Sequence, residues 1–210
     1  MGIRAVAFDY GMVLSGPPNA EAYAEMLRIT GLPEERFESL YWHDRLVYDA
    51  GKLTGIEFWR KFVRDAALDL TPDAIDELNR WDALHWTTFN PAMLAWQLAL
   101  KEHGLRTAIL SNMGDAVLAS IESTFDWVPR FDVLVWSFQT GTVKPDPAIY
   151  RHLLEKLGTA PEETLFLDDK AVNVEGARAV GIRALEFSTV ERLREDLIAA
   201  GLDRDLPLPA

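Results

Sequence analysis

Apolar residues along this chain fall into two alternating patterns. Short, mainly apolar runs of strand length lie at residues 4–8, 106–110, 133–136, 164–167 and 183–186. A half-exposed strand would alternate apolar and polar positions. Continuous apolarity over so short a run predicts strands covered on both faces, as in a parallel sheet. Helical patterns occupy the gaps at residues 91–103, 146–157 and 171–180. Each is followed by glycine, at Gly104, Gly158 and Gly181, where a left-handed helix end favours it. This alternation predicts an α/β fold class with a doubly wound, Rossmann-like parallel sheet as its core.

One interval breaks the rhythm. Residues 16–88 carry no convincing strand and instead show helical patterns at 20–29, 33–45, 56–68 and 72–84. Thr71 and Asp73, on either side of Pro72, suit a helix start. The interval is expected to be an inserted helical cap over the carboxyl edge of the sheet. That divides the chain into a core domain of residues 1–15 and 89–210 and a cap domain of residues 16–88. The tail from Leu206 onward, rich in proline, is expected to be loose.

Four short segments stand where strands are predicted to end, the edge at which open α/β sheets hold their ligands. Asp9 closes the first run, and a carboxylate there is costly unless paired or bound to a metal. Ser111 and Asn112 close the second, offering a hydroxyl and an amide to an anion. Lys144, stiffened by Pro145 and Pro147, offers a fixed cation for electrostatic stabilisation of phosphate. Asp168 and Asp169 repel one another unless a divalent cation relieves them, and Asn173 returns to the same place four positions later.

In this order and spacing the four segments resemble the motifs of the haloacid-dehalogenase-like (HAD) hydrolase superfamily. They are most similar to the subgroup containing sugar-phosphate phosphatases and the phosphatase domain of soluble epoxide hydrolases. The resemblance covers residues 3–15 and 90–187. It implies a magnesium-dependent phosphatase for a small phosphorylated metabolite, working through an aspartyl-phosphate on Asp9. It also implies Mg²⁺ held by Asp9, the Gly11 carbonyl and Asp169, with Asp168 and Asn173 supporting. Lys144 and Ser111 are the remaining catalytic candidates, and with Asn112 they are the expected phosphate contacts. The position two after the nucleophile usually carries an aspartate that serves as general acid and base. Here it is Gly11, so that duty falls to another group, with His43, Asp44, Asp49 or a metal-bound water as candidates. Trp42, Arg45 and Tyr48, spaced to share a helix face, are candidate substrate contacts.

Composition narrows the partners. A formal net charge of −12 over 210 residues disfavours nucleic acid and anionic membranes. The absence of cysteine excludes disulfides, thiolate metal sites and a thiol nucleophile. No run approaches the roughly 18–20 apolar residues of a membrane span, and the first apolar run is too short for a signal peptide, so a cytoplasmic location is expected. His43, His85, His103 and His152 show no metal-ligand spacing. Two other functions compete with a phosphatase. One is a 2-haloacid dehalogenase, whose halide needs no proton but which leaves the Asp168–Asp169 pair without a purpose. The other is a weakly active relative that binds a phosphorylated ligand.

Overall fold

In a computed structural model describing residues 2–209, the apolar runs form one five-stranded parallel sheet. Its strands are β1 (Ala5–Phe8), β2 (Arg106–Ser111), β3 (Val133–Trp136), β4 (Thr164–Asp168) and β5 (Arg183–Glu186), in spatial order β3-β2-β1-β4-β5. Every residue of β1 is fully buried, as its unbroken apolarity requires. The register pairs Phe8 with Ile109 on one side and with Leu167 on the other. The carboxyl ends of β1, β2 and β4 therefore lie side by side, and the residues that follow them meet at one edge.

Five helices lie between β1 and the next core helix: α1 (Ala20–Thr30), α2 (Glu34–His43), α3 (Arg45–Asp49), α4 (Gly55–Asp65) and α5 (Pro72–His85). The rest of the chain adds α6 (Pro91–Glu102), α7 (Asp115–Thr124), α8 (Ser137–Thr140), α9 (Pro147–Leu157), α10 (Ala171–Ala179) and α11 (Val190–Ala199). On one sheet face Phe8, Ile109 and Leu167 pack against Trp96, Leu118 and Phe131. On the other, the small side chains of Ala5, Ala7 and Ala108 share a cluster with Ile149, Tyr150 and Leu153 of α9. The helical interval has its own interior, built on Phe37, Phe58, Trp59 and Phe62.

Local chemistry accounts for the helix starts. Thr54 and Glu57 form a reciprocal capping box on α4, and Thr71 caps α5 ahead of Pro72. The expected helix at 33–45 is divided: Asp44 leaves helical geometry (φ −109°, ψ 9°) and pairs with Lys61, while Arg45 begins α3 and turns into the aromatic interior. Trp42, Arg45 and Tyr48 consequently do not share a helix face. The tail is not loose either. Leu206 is buried in the core, and the Pro207 carbonyl accepts a hydrogen bond from Trp96 Nε1 at 2.6 Å, because the tail's apolar residues cover the exposed edge of α6.

Backbone-level contacts seat the helical interval on the carboxyl edge of the sheet. Gly55 N donates to Asp115 Oδ1 (2.9 Å), and Ala116 N donates to Tyr48 Oη (3.3 Å). At Gly114 any Cβ would lie 2.0 Å from the Tyr48 ring, so only glycine allows this approach. At Gly51, with φ +68°, a Cβ would lie 2.3 Å from the Phe138 carbonyl oxygen.

Candidate active site

The centre of the edge is an ammonium ion between carboxylates. Asp9, held at the end of β1 by its N–H to Leu167 O (2.8 Å), accepts from Tyr10 N (2.6 Å) and pairs with Lys144 Nζ at 2.9 Å. Lys144 Nζ also donates to Asp168 Oδ2 at 2.6 Å, and its side chain is fully buried. Asp168 is fastened in turn by Lys170 N (2.9 Å) and by Asn173 Nδ2 (3.0 and 3.1 Å). One carboxylate oxygen from each of Asp9, Asp168 and Asp169 lies within 4.8 Å of the others.

Burial here works against charge. Burial pushes the Asp9 carboxyl up; Lys144 pulls it down, Asp168 and Asp169 push it up again, and the balance stands at about 7. Asp169 is also raised, by burial and then by Asp168. Burial would lower Lys144, but the Asp9 and Asp168 carboxylates more than offset it and hold the ammonium charged. Three carboxyl groups around one ammonium leave negative charge in excess. A hard divalent cation held by oxygen ligands fits that surplus.

The turn after Asp9 is wound tightly. Gly11 is extended (φ −60°, ψ 129°), and Met12 takes a left-handed conformation (φ +58°) that costs a non-glycine residue about 1–3 kcal/mol. Ser15 Oγ steadies it by accepting from Met12 N at 2.9 Å.

Above this edge lies a cavity of about 650 Å³ between the sheet and the helical interval. Asp9, Ser111, Lys144 and Asp169 lie on it together with Gly11, Asn112 and Asn173, so widely separated motifs do converge. Much of its wall is apolar, with Met12, Trp42, Leu46, Trp86, Met113 and Val172.

Several predicted contacts take other positions. The Asn112 side chain bonds the backbone of Lys144, accepting from its N (2.8 Å) and donating to its O (3.0 Å), so it positions the lysine at the cavity it also lines. Asn173 enters as a donor to Asp168, which fixes that carboxylate in place. Arg45 borders the cavity, but its guanidinium is committed to Asp82 at 3.0 Å and to Asp49 at 3.3 Å. Tyr48 is fully buried and does not line the cavity, because its ring is clasped over Gly114. Trp42 stands at the mouth, 47% exposed, with Lys170 Nζ 5.8 Å from its ring centroid. Of the acid–base candidates on the chain, His43 and Asp44 lie off the cavity and Asp49 lies on it.

Asp82 and Trp86 were missed in the sequence. Asp82 did leave a signal, standing four positions after the buried Leu78 on the inward side of α5. Trp86 follows the last turn of that helix and shows nothing in its local pattern that marks it for the cavity.

A haloacid dehalogenase-like hydrolase family model matches residues 3–181. The chain belongs to the haloacid dehalogenase-like hydrolase family. This hydrolase is 33% identical over 206 residues to the phosphatase MT3486 of Mycobacterium tuberculosis, covering 94% of this chain and 93% of that one. It is 28% identical to the bifunctional epoxide hydrolase 2 of Mus musculus over its whole length, which is 41% of that protein. It is also 28% identical to the (S)-2-haloacid dehalogenase 1 of a Pseudomonas species, over 92% of this chain and 88% of that one. Among solved structures, the HAD family enzyme BT-2542 of Bacteroides thetaiotaomicron, in complex with magnesium and inorganic phosphate, superposes with a TM-score of 0.74. Its sequence is 24% identical, and the match covers 89% of this chain and 95% of that one, a likeness of fold. No helix among the described residues is long and apolar enough to cross a membrane.

Proposed function

We propose that this hydrolase is a magnesium-dependent phosphatase whose substrate is a small phosphate monoester with an apolar organic part. The observation that carries the reading is the Lys144 ammonium held between Asp9 and Asp168 with Asp169 beside them, a cluster that retains net negative charge at a sheet edge. Asp9, Asp169 and the Gly11 carbonyl would hold the magnesium ion, with Asp168 and Asn173 bracing the set. When bound, the ion would neutralise charge on the transferring phosphoryl group.

Asp9 is the nucleophile in this reading, attacking phosphorus to form an aspartyl-phosphate that water then hydrolyses. Lys144 keeps one Asp9 oxygen oriented and stabilises charge on the phosphoryl oxygens. Ser111, buried at the end of β2, donates its hydroxyl to a phosphate oxygen. Asn112 acts through Lys144 by holding its backbone. Residues 16–88 serve as a cap over a core of residues 1–15 and 89–210. The Trp42, Leu46 and Trp86 side chains favour an apolar leaving group over a sugar, whose hydroxyls would lose water without finding partners. Similarity to the M. tuberculosis phosphatase over nearly the full length of both chains supports the same reaction class.

The expected result is phosphate release from p-nitrophenyl phosphate that needs magnesium, stops with EDTA, and falls at least about 10⁴-fold in Asp9→Asn. Undiminished turnover in EDTA would overturn the proposal. Gly11 favours a second reading, a 2-haloacid dehalogenase, since a departing halide needs no proton, and one relative carries that activity in its name. Chloride release from 2-chloropropionate without any phosphatase activity would select it.

A further inference from the structure

The wound turn after Asp9 supplies no carboxyl group where the leaving oxygen needs one. A Cβ at Gly11 would meet only Trp86, at 3.9 Å, so the position is roomy as well as bare. Asp49 lies on the wall of the same cavity, from the end of α3, and is only 6% exposed. Among the described residues its Oδ1 has no hydrogen-bond partner, although Arg45 Nε stands at 3.3 Å. A carboxyl group so buried, held by an ion pair to Arg45 and by no hydrogen bond to Oδ1, is an uncommon lining for a cavity.

Its position is also fixed relative to the sheet. Ser137 Oγ donates to the Asp49 carbonyl at 2.5 Å and accepts from Met113 N at 2.9 Å, which ties α3 to the segments following β2 and β3. Lys144, Asp168 and Asn173 are bound to one another, and neither His43 nor Asp44 reaches the cavity.

We infer that Asp49 is the general acid and base of this hydrolase, a catalytic residue standing in for the carboxylate missing at Gly11. The inference rests on the phosphatase reading. As Asp9 Oδ bonds to phosphorus, the bond from phosphorus to the alcohol oxygen breaks. Its electron pair stays on that oxygen, which takes the Asp49 proton and leaves as the alcohol. Water then attacks phosphorus and gives a proton to the Asp49 carboxylate. The bond between phosphorus and Asp9 Oδ breaks, its pair returns to Asp9, and phosphate departs. Both the enzyme and Asp49 end as they began.

The groups facing Asp49 suit a proton that is held and returned. Burial raises its carboxyl, Arg45 opposes, Asp82 raises it again and Lys170 opposes. The Tyr48 hydroxyl on the same helix is engaged by Ala116 N.

The test compares leaving groups. In Asp49→Asn, kcat/KM for a simple alkyl phosphate falls by about 10²–10⁴-fold, because an alkoxide cannot leave unprotonated. For p-nitrophenyl phosphate, whose phenolate needs no proton, it falls less than about 10-fold. Equal losses on both substrates would mark Asp49 as structural only and overturn the inference. The wild-type enzyme provides a second measurement that does not depend on the variant folding. Across a series from aryl to alkyl phosphates, its kcat/KM should change little with leaving-group pKa if a proton is donated. A steep dependence would overturn the inference while leaving the phosphatase reading intact. Wild-type enzyme inert on every phosphate of the series would overturn both.

Discussion

Lys144 and Arg45 are both buried cations gripped by two carboxylates, yet they are built for different ends. Lys144 lies 2.9 Å from Asp9 and 2.6 Å from Asp168 at the carboxyl edge of the sheet, with Asp169 close by and a cavity in front. Arg45 lies 3.0 Å from Asp82 and 3.3 Å from Asp49 inside the helical interval. The rings of Tyr41, Tyr48 and Phe58 surround its guanidinium at 4.9, 5.1 and 5.8 Å, and it also donates to the Tyr41 hydroxyl. Arg45 is close to saturated, by charge, hydrogen bonds and cation–π contacts together. The Lys144 cluster keeps a surplus of negative charge. The Arg45–Asp82 pair closes upon itself and stiffens the fold, with Asp49 at its cavity side, whereas the Lys144 cluster is left open to the cavity with its charge unbalanced.

Removing each cation sharpens the contrast, and the Lys144 variant has the larger effect. Lys144→Met should cut phosphatase kcat by about 10³-fold or more, through loss of charge stabilisation at the phosphoryl group. Arg45→Met strands Asp82, which is 1% exposed, and should cost about 3–5 kcal/mol of unfolding free energy in urea. Magnesium should restore much of the stability lost by the Lys144 variant, because a cation can occupy that site. It should restore none for Arg45→Met. Equal rescue of both would erase the distinction.

A smaller effect follows from Asp9. Its carboxyl sits at about 7 in the folded chain, above its ordinary value of 3.8. Between those values the folded state holds a proton that the unfolded state has released, so stability should fall as pH rises from about 4 through 7. Thermal melts without metal should therefore give a lower midpoint at pH 8 than at pH 5. Magnesium, which binds the ionised carboxylates, should recover more at pH 8. Asp9→Asn should flatten the decline. A midpoint that rises over this range would show that the Lys144 pair outweighs burial.

The same contrast explains what could be read in advance. Residues 4–8 and 106–110 announce buried parallel strands because continuous apolarity has few other uses at that length. Asp9, Ser111 and Asp168 stand at or just after the ends of β1, β2 and β4, so topology carries them to one edge, whereas Lys144 reaches it from the loop beyond α8. The surroundings of Arg45 had no such guide. Its partner Asp82 comes from another helix, and the pairing depends on how α3 and α5 pack. The break at Asp44 turned Arg45 inward, and no local periodicity foretold it. Asn112 was readable as a polar group at a strand end, but its attachment to the Lys144 backbone was not. Leu206 fills a gap beside Trp96 that exists only once α6 and the sheet are assembled.

The smallest effect tests whether cavity wall and cavity floor are separable. Trp42 belongs to α2, Lys170 follows the Asp168–Asp169 pair, and their contact spans the mouth with the ammonium 5.8 Å from the ring centroid. At so exposed a site a cation–π contact contributes about 0.5–1 kcal/mol, so Trp42→Ala should leave unfolding stability nearly unchanged. Its loss should appear in substrate binding, as a KM for an apolar phosphate ester raised by about 2–5-fold, because the substituted wall covers less of the ester's apolar surface. Inhibition by inorganic phosphate should stay the same, because in the proposed reading phosphate contacts Lys144, Ser111 and the bound cation at the sheet edge and not Trp42. If phosphate inhibition weakened along with ester binding, Trp42 would be shaping the sheet-edge site itself, and the division between an apolar wall and a charged floor would fail.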